Sequence, residues 1–302
     1  MPLVAAQPVP EARESGRRVL MKLGLHQGMD ETTYRALPAM NSTTIKAGRD
    51  SMRHMKRAKE SPKQPSPEMR MGTALHCLVL EPEKFARTYR ACDIECDKAA
   101  KAYKSFAAEC DHEGVEPLSF YEAAQLAEQR RNLMEHPEAG AILREGGLSE
   151  YVALWQDHET GFACKARLDR YVPGVVALDI KTTKCARDDA FSKQMYDLGY
   201  WMQLAFYHEG FRRASGVDTP FTIIAVENVE PYLVNVFSLD DYTRQCGIAE
   251  NHAILRRWAE CVRTGVYPGY PTGIREIGIP DWAKKRHPPE AMEWDSNDNG
   301  GF

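Results

Sequence analysis

Asp179 and Lys181 stand two residues apart at the end of the apolar run Val175-Val176-Ala177-Leu178. Side chains alternate faces along a strand, so residues two apart point the same way. One face would carry Ala177, Asp179 and Lys181, and the other Val176, Leu178 and Ile180. A carboxylate and an ammonium in a half-buried strand are costly to desolvate unless something uses them. Asp169, in Arg167-Leu168-Asp169-Arg170, ends the preceding apolar stretch. If 162–172 and 175–183 pair through the Pro173-Gly174 turn, Asp169 and Asp179 meet on one face, and a slip of one residue would part them. Two carboxylates so close repel unless a cation sits between them, and oxygen ligands select a hard ion such as Mg²⁺, with Mn²⁺ able to substitute. Lys181 beside such an ion would be poised over a phosphate, where it could orient a nucleophile and offset charge on phosphorus. The competing reading is an ordinary ion pair at a strand end.

The surrounding elements can be read from periodicity. The segment 41–60 has a helix start at Asn41 or Ser42, whose side chains can cap free amides, and a basic face of Lys46, Arg49, Arg53, Lys56, Arg57 and Lys59. The prolines of Ser-Pro-Lys-Gln-Pro end it. Residues 67–89 place Met71, Leu75, Leu78 and Val79 at helical spacing, with His76 beside the stripe. Further helices are expected near 97–110 and 119–135. From 149 the period becomes two: 149–157, a turn through Gly161 and 162–172 read as a hairpin. A long amphipathic segment over 188–214, strands near 221–229 and 232–240, and a helix over 240–264 follow. Helices before and after such strands imply an α/β (α+β type) fold, a mixed sheet flanked by helices with a helical N-terminal part. The expected organisation is a mobile segment over 1–40 and one domain over 41–270. Within it lie a helical part 41–147, a sheet core 148–240 and the helix 240–264. A partly disordered tail is expected over 271–302.

Composition narrows the classes. At 43% hydrophobic and 27% charged residues, the chain of 302 residues is an ordinary globular protein. It has no run long and apolar enough for a membrane span, and its start lacks the layout of a secretory signal. Eight scattered cysteines suit free thiols in a reducing cytoplasm. Only Cys92 and Cys96 lie close, which does not make a zinc or cluster spacing. The net charge of −4 does not predict a nucleic-acid partner, so any grip on phosphates must come from a local basic surface.

Gln203 and Tyr207, in Tyr-Trp-Met-Gln-Leu-Ala-Phe-Tyr, are four apart and share a helix face; alone they could simply pack on the sheet. With Asp169, Asp179-Ile180-Lys181 and His76 they complete a pattern that resembles the PD-(D/E)XK nucleases, and within these the RecE (exonuclease VIII) branch. The phrases GTALHCLVLEPEKF, KARLDRY, LDIKTT and YWMQLAFYHEG match that branch in order and spacing over about residues 40 to 265. Arg-Leu-Asp stands where the family has Arg-Pro-Asp, a departure around Asp169.

The resemblance implies a PD-(D/E)XK restriction-endonuclease-like sheet and a metal-dependent 5′-to-3′ exodeoxyribonuclease. Such an enzyme degrades linear double-stranded DNA, releases 5′-phosphate products and leaves 3′ single-stranded tails for recombination. It carries over His76, Asp169, Asp179 and the Ile180 carbonyl as metal ligands, Lys181 as the catalytic lysine, and Gln203 and Tyr207 as positioning residues. It further implies double-stranded DNA ends as substrate, a RecT-like single-strand annealing partner, a homo-oligomeric ring for which a tetramer is one form, and a cytoplasmic bacterial or phage-encoded protein. Lys46, Arg49, Arg53, Arg167 and Lys184 are the candidates for phosphate contacts, although Arg167 and Lys165 could equally balance the acids. Glu150 could be a further acid near the metal or an exposed strand start. The rival readings are a non-cleaving DNA-end-binding module on the same fold and a Cas4-like or structure-specific endonuclease.

Overall fold

The structure is a computed structural model, and it describes residues 22–61 and 66–286. The chain divides into two units, Met1–Gly269 and Tyr270–Phe302. The first unit begins with β1 (Gly24–His26), α1 (Glu31–Ala36), α2 (Ser42–Ala47), α3 (Met52–Glu60), α4 (Pro67–Leu80) and α5 (Pro82–Thr88). Next come β2 (Tyr89–Ala91), α6 (Lys101–Glu113), β3 (Glu116–Leu118), α7 (Phe120–Glu135) and α8 (Pro137–Arg144). The second half holds β4 (Leu148–Gln156), β5 (Ala163–Val172), β6 (Val176–Thr183), α9 (Asp188–Asp197), α10 (Tyr200–Ser215), β7 (Phe221–Glu227), β8 (Val234–Ser238) and α11 (Asp241–Thr264). In the second unit the described residues contain one short helix, α12 (Asp281–Lys284).

Among the described residues six strands form a mixed sheet in the order β1-β4-β5-β6-β7-β8, in which β6 and β7 run parallel and the other pairs antiparallel. A parallel pair needs a crossover, supplied here by α9 and α10. β2 and β3 form a separate parallel pair. Helices cover both faces of the sheet. Ile45, Met55, Met202, Phe206, Phe211 and Ile254 pack on one side against Leu168, Ala177, Ile223 and Ala225. Leu75, Leu126, Leu133 and Leu143 pack on the other against Leu178, Ile180, Ile224 and Val226. The strand quoted first therefore buries both faces, as a parallel neighbour requires.

Several expectations are corrected. The basic helix over 41–60 is two helices: Ser51 caps α3 by accepting the His54 amide at 3.2 Å, and at Gly48 a Cβ would lie 2.5 Å from Ile254 Cγ2. Close approach to α11 thus breaks the run where propensity alone would continue it. The long segment over 188–214 is also two helices, parted at Gly199, whose φ of +67° suits glycine. The segment 1–40, expected to be mobile, contains β1, paired with β4, and α1, capped by Asp30. Residues 1–21 and 287–302, the rest of the two expected loose ends, lie outside the described residues.

α10 is seated by small residues. A Cβ on its Gly210 would come within 2.3 Å of the Trp155 ring, and one on Gly247 of α11 within 2.5 Å of Ala205 Cβ. These approaches hold every residue from Met202 to Phe211 buried.

Candidate active site

β4, β5 and β6 build the site through a break in their regular pattern. Ser149 pairs with Arg170 and Tyr151 with Leu168, which leaves Glu150 facing Asp169 between them. Glu150 takes a φ of +52°, uncommon for a residue with a Cβ. On β5, Leu168 and Tyr171 pack into the same layer although they are three residues apart, so the alternation skips a step at Asp169–Arg170. The β5–β6 ladder pairs Val172 with Val176, Tyr171 with Ala177 and Arg170 with Leu178. The next pair would be Asp169 with Asp179. There the Asp169 side chain takes over, and its Oδ2 accepts the Ile180 amide at 2.6 Å. The expected register is the observed one, and the carboxylates of Asp169 and Asp179 meet where the strands part.

His76 reaches this point from α4, on the opposite face of the sheet from α10. One ring nitrogen, Nε2, lies 2.9 Å from the Ile180 carbonyl oxygen, and Nδ1 lies 3.4 Å from Asp169 Oδ2. Lys181 forms an ion pair with Asp179, and its Nζ sits 5.0 Å from the centroid of the Tyr200 ring. From α10, Gln203 Nε2 donates to Asp179 Oδ1 at 3.4 Å and to the Tyr207 hydroxyl at 3.0 Å. His76, Asp169, Asp179, Ile180, Lys181, Gln203 and Tyr207 thus converge. Asp169, Asp179, Lys181, Gln203 and Tyr207 line one cleft of about 220 Å³, closed by Tyr34, Arg167 and residues 41–43.

The electrostatics are those of a crowded pair of acids. Burial and then the neighbouring Asp169 push the Asp179 carboxyl up, against the pull of Lys181. For Asp169 burial acts upward too, but His76, Lys181 and the Ile180 amide together hold its carboxyl below the usual range. Burial would lower Lys181, and the two carboxylates more than reverse that, keeping it a cation. His76 is raised because Asp169 outweighs its burial.

The donors fit a small divalent cation. Asp179 Oδ2 is buried, and the Lys181 ammonium, in an ion pair with it, is what it faces. His76 Nε2 and the Ile180 carbonyl oxygen, 2.9 Å apart in a hydrogen bond, would with the two carboxylates offer the nitrogen and oxygen donors that could hold such a cation. As the side chains stand, both ring nitrogens of His76 are engaged. Among the described residues no three His, Cys, Asp or Glu side chains stand, in their present positions, so that they could hold a metal ion. Binding would exchange the His76 contact with Ile180 for two bonds to the cation.

The basic candidates separate. Lys46 turns inward, its Nζ 3.4 Å from Gln203 Oε1 and 5.5 Å from the Tyr200 centroid, and burial followed by Lys181 lowers it to about 8. Arg49 lies over Tyr196 and Trp201. Arg53 and Lys184 are exposed. Arg167 borders the cleft but pairs with both Glu31 and Glu150 at 2.7 Å. Lys165, expected beside it, is 3% exposed, and its ammonium donates to the carbonyls of Tyr34, Arg35 and Leu37 at the end of α1. It is a structural clamp. Glu150 is no exposed strand start: burial pushes its carboxyl up to about 7, and Asp169 adds to the rise against Arg167.

Sequence reasoning missed Tyr200, Tyr34 and Glu31. Tyr200 could have been found, because it precedes Gln203 by three and Tyr207 by seven and so shares their face. Tyr34 and Glu31 carry no such signal; α1 brings them across the sheet.

A mixed sheet between helical layers, with two acids and a lysine at the parting of its central strands, defines a PD-(D/E)XK-type domain. The profile of the family described as PDDEXK-like domain of unknown function (DUF3799) matches residues 42–276, and the chain belongs to that family. Among solved structures, a protein from Eubacterium rectale provisionally named an exonuclease is 14% identical, with a TM-score of 0.58 over 86% of this chain and 98% of that one. It shares the fold. An alkaline exonuclease from Laribacter hongkongensis (16% identity, 64% of this chain and 91% of that one, TM-score 0.25) and a phage related exonuclease from Haemophilus somnus (12%, 76% and 98%, 0.29) are too distant in shape to carry an argument. No curated protein matches the chain. Family and fold support a nuclease, and nucleases of this superfamily generally use divalent metal ions. No helix among the described residues is long and apolar enough to cross a membrane.

Proposed function

We propose that the protein is a metal-dependent exodeoxyribonuclease of the RecE type, which degrades linear duplex DNA from its 5′ ends and leaves 3′ single-stranded tails. The observation that carries the reading is the meeting of Asp169, Asp179, the Ile180 carbonyl and His76 beside Lys181, contributed by two strands and a helix far apart in sequence. The four phrases that resemble the RecE branch supply the choice within the superfamily.

A divalent ion, Mg²⁺ in the first instance, held by His76, Asp169, Asp179 and the Ile180 carbonyl would supply Lewis acidity toward a phosphate and lower the pKa of a water. The chain does the rest. Lys181, kept cationic by the two carboxylates, points an ammonium at the phosphate and offsets charge that grows there. Gln203 holds Asp179 and the Tyr207 hydroxyl in one line, fixing the acid against rotation. Lys46, beside Gln203, and the exposed Arg53 and Lys184 are the candidates for phosphate contacts, so binding should weaken steeply with salt. A homo-oligomeric ring, and an annealing partner that receives the 3′ tail, belong to the same reading.

The test is a linear duplex labelled at either end, incubated with Mg²⁺ or with EDTA beside a closed circle. Loss of label from the 5′ end, dependent on metal and sparing the circle, is expected. Intact strands under all conditions would leave an end-binding module, and a cut circle would point to an endonuclease.

A further inference from the structure

The turn from α9 to α10 carries an aromatic, cationic surface that the proposed catalysis does not use. Tyr196 and Leu198 stand 61% and 51% exposed there. The rings of Tyr196 and Trp201 are parallel within 7°, with centroids 6.0 Å apart. The Arg49 guanidinium lies 5.2 Å from the Tyr196 centroid and 5.8 Å from that of Trp201. It also donates to the Tyr196 carbonyl oxygen at 3.1 Å. The group is therefore built, with its exposed ring fixed from behind by a second ring and a cation.

Its position ties it to the cleft. At Gly199 a Cβ would fall 2.9 Å from Lys46 Cδ and 3.6 Å from Arg49 Nη1, so the turn is pressed against both basic side chains. The next residue, Tyr200, holds its ring within 5.0 Å of Lys181 Nζ and 5.5 Å of Lys46 Nζ. Asp197, next to Tyr196 in the chain, is paired with Lys193. An exposed flat ring flanked by arginine, at the rim of a cleft that takes a phosphodiester, has the chemistry of a base-stacking platform. Every base has a π-face, and guanidinium groups add cation–π attraction.

We infer that Tyr196, backed by Trp201 and Arg49, stacks an unpaired nucleobase of the strand that enters or leaves the cleft. Interior base pairs of a duplex offer no free face, so the site selects frayed ends and single-stranded tails. The inference rests on the nuclease reading for the presence of DNA, but it concerns binding and needs no cleavage.

The test is equilibrium binding of the full chain in EDTA to three labelled probes: a blunt duplex, a duplex with a short single-stranded tail, and the same tail made of abasic nucleotides. Wild-type protein should prefer the normal tail. Tyr196→Ala should weaken that complex about tenfold, the size of one lost base–aromatic stack, and should bind the abasic tail as the wild type does. Tyr196→Trp should restore the affinity, and it guards against a variant that fails to fold. Equal binding of the normal tail by wild type and Tyr196→Ala, an undiminished loss on the abasic tail, or no DNA binding by the wild type would each overturn the platform. Base-dependent binding without any cleavage in Mg²⁺ would sink the nuclease reading and leave the platform standing.

Discussion

Asp169 Oδ2 accepts the backbone amide of Ile180 at 2.6 Å, in the place where the β5–β6 ladder would have continued. A side chain thus replaces a strand partner, and the Ile180 carbonyl on the same peptide segment is freed to face His76. The geometry makes the acid at 169 both a structural plug and a candidate ligand, and the consequences can be measured.

Divalent ions should stabilise the folded chain. A ligand at a hundred times its dissociation constant adds about 2.7 kcal/mol, read as a rise in Tm with Mg²⁺ or Mn²⁺. Asp179→Asn should lose that rise, because it removes a buried carboxylate that faces Asp169 and would hold the cation. A wild-type Tm indifferent to both ions would count against the assignment of ligands.

The Asp179–Lys181 pair should be strongly coupled. Removing either partner alone leaves a buried charge and should cost about 3 kcal/mol, whereas Asp179→Asn with Lys181→Met should cost less than the two single changes added. Urea unfolding of the four proteins closes the cycle. Additive losses would mean that the ion pair is solvated.

Glu150 should make stability fall as pH rises. Its folded carboxyl titrates near 7 against an ordinary 4.5, chiefly because of burial. Between these values the unfolded chain has lost a proton that the folded one keeps, so stability declines through that window and levels off above pH 7. The decline is on the order of 3 kcal/mol, and Glu150→Gln should remove it while keeping an oxygen for Arg167. Urea midpoints from pH 4.5 to 8 report the difference.

Lys165→Met should loosen α1. Three carbonyls at 2.7, 3.2 and 2.9 Å would lose their donor, a loss of about 2 kcal/mol or more for buried acceptors. Limited proteolysis should then cut near residues 30–40, and Arg at this position should not rescue, since its planar fork cannot follow three converging carbonyls.

Gly210→Ala should cost about 1–3 kcal/mol through overpacking against Trp155, where a Cβ would lie 2.3 Å from the ring. Because α10 carries Gln203 and Tyr207 toward Asp179, the displacement should lower kcat more than it weakens DNA binding. An unchanged kcat in a destabilised variant would show that α10 adjusts without moving them.

Much of this was legible in the chain itself. Period two over 149–172 and the apolar run before Asp179 fixed the strands and their faces. The four-residue spacing of Gln203 and Tyr207 placed both on one helical face. Such signals are local, and local sterics obey them wherever both faces of an element find a core. The kink at Glu150 and Asp169 was not legible, since nothing in Ser-Glu-Tyr announces a positive φ. Nor was the inward turn of Lys46, which reads as one more member of a solvated basic face until α10 supplies Gln203.

The residue types and their order determined which groups could form a metal-binding, phosphate-cleaving site, and which strand and helix carry most of them. Only the tertiary structure decided that His76 meets Ile180 across 104 residues of sequence, that α1 closes the cleft with Tyr34, and that Lys165 is a clamp. Periodicity fixes where a side chain points relative to its own element. Which elements stack, and where two paired strands part, is set by packing across the sheet, and no short stretch of sequence contains that information.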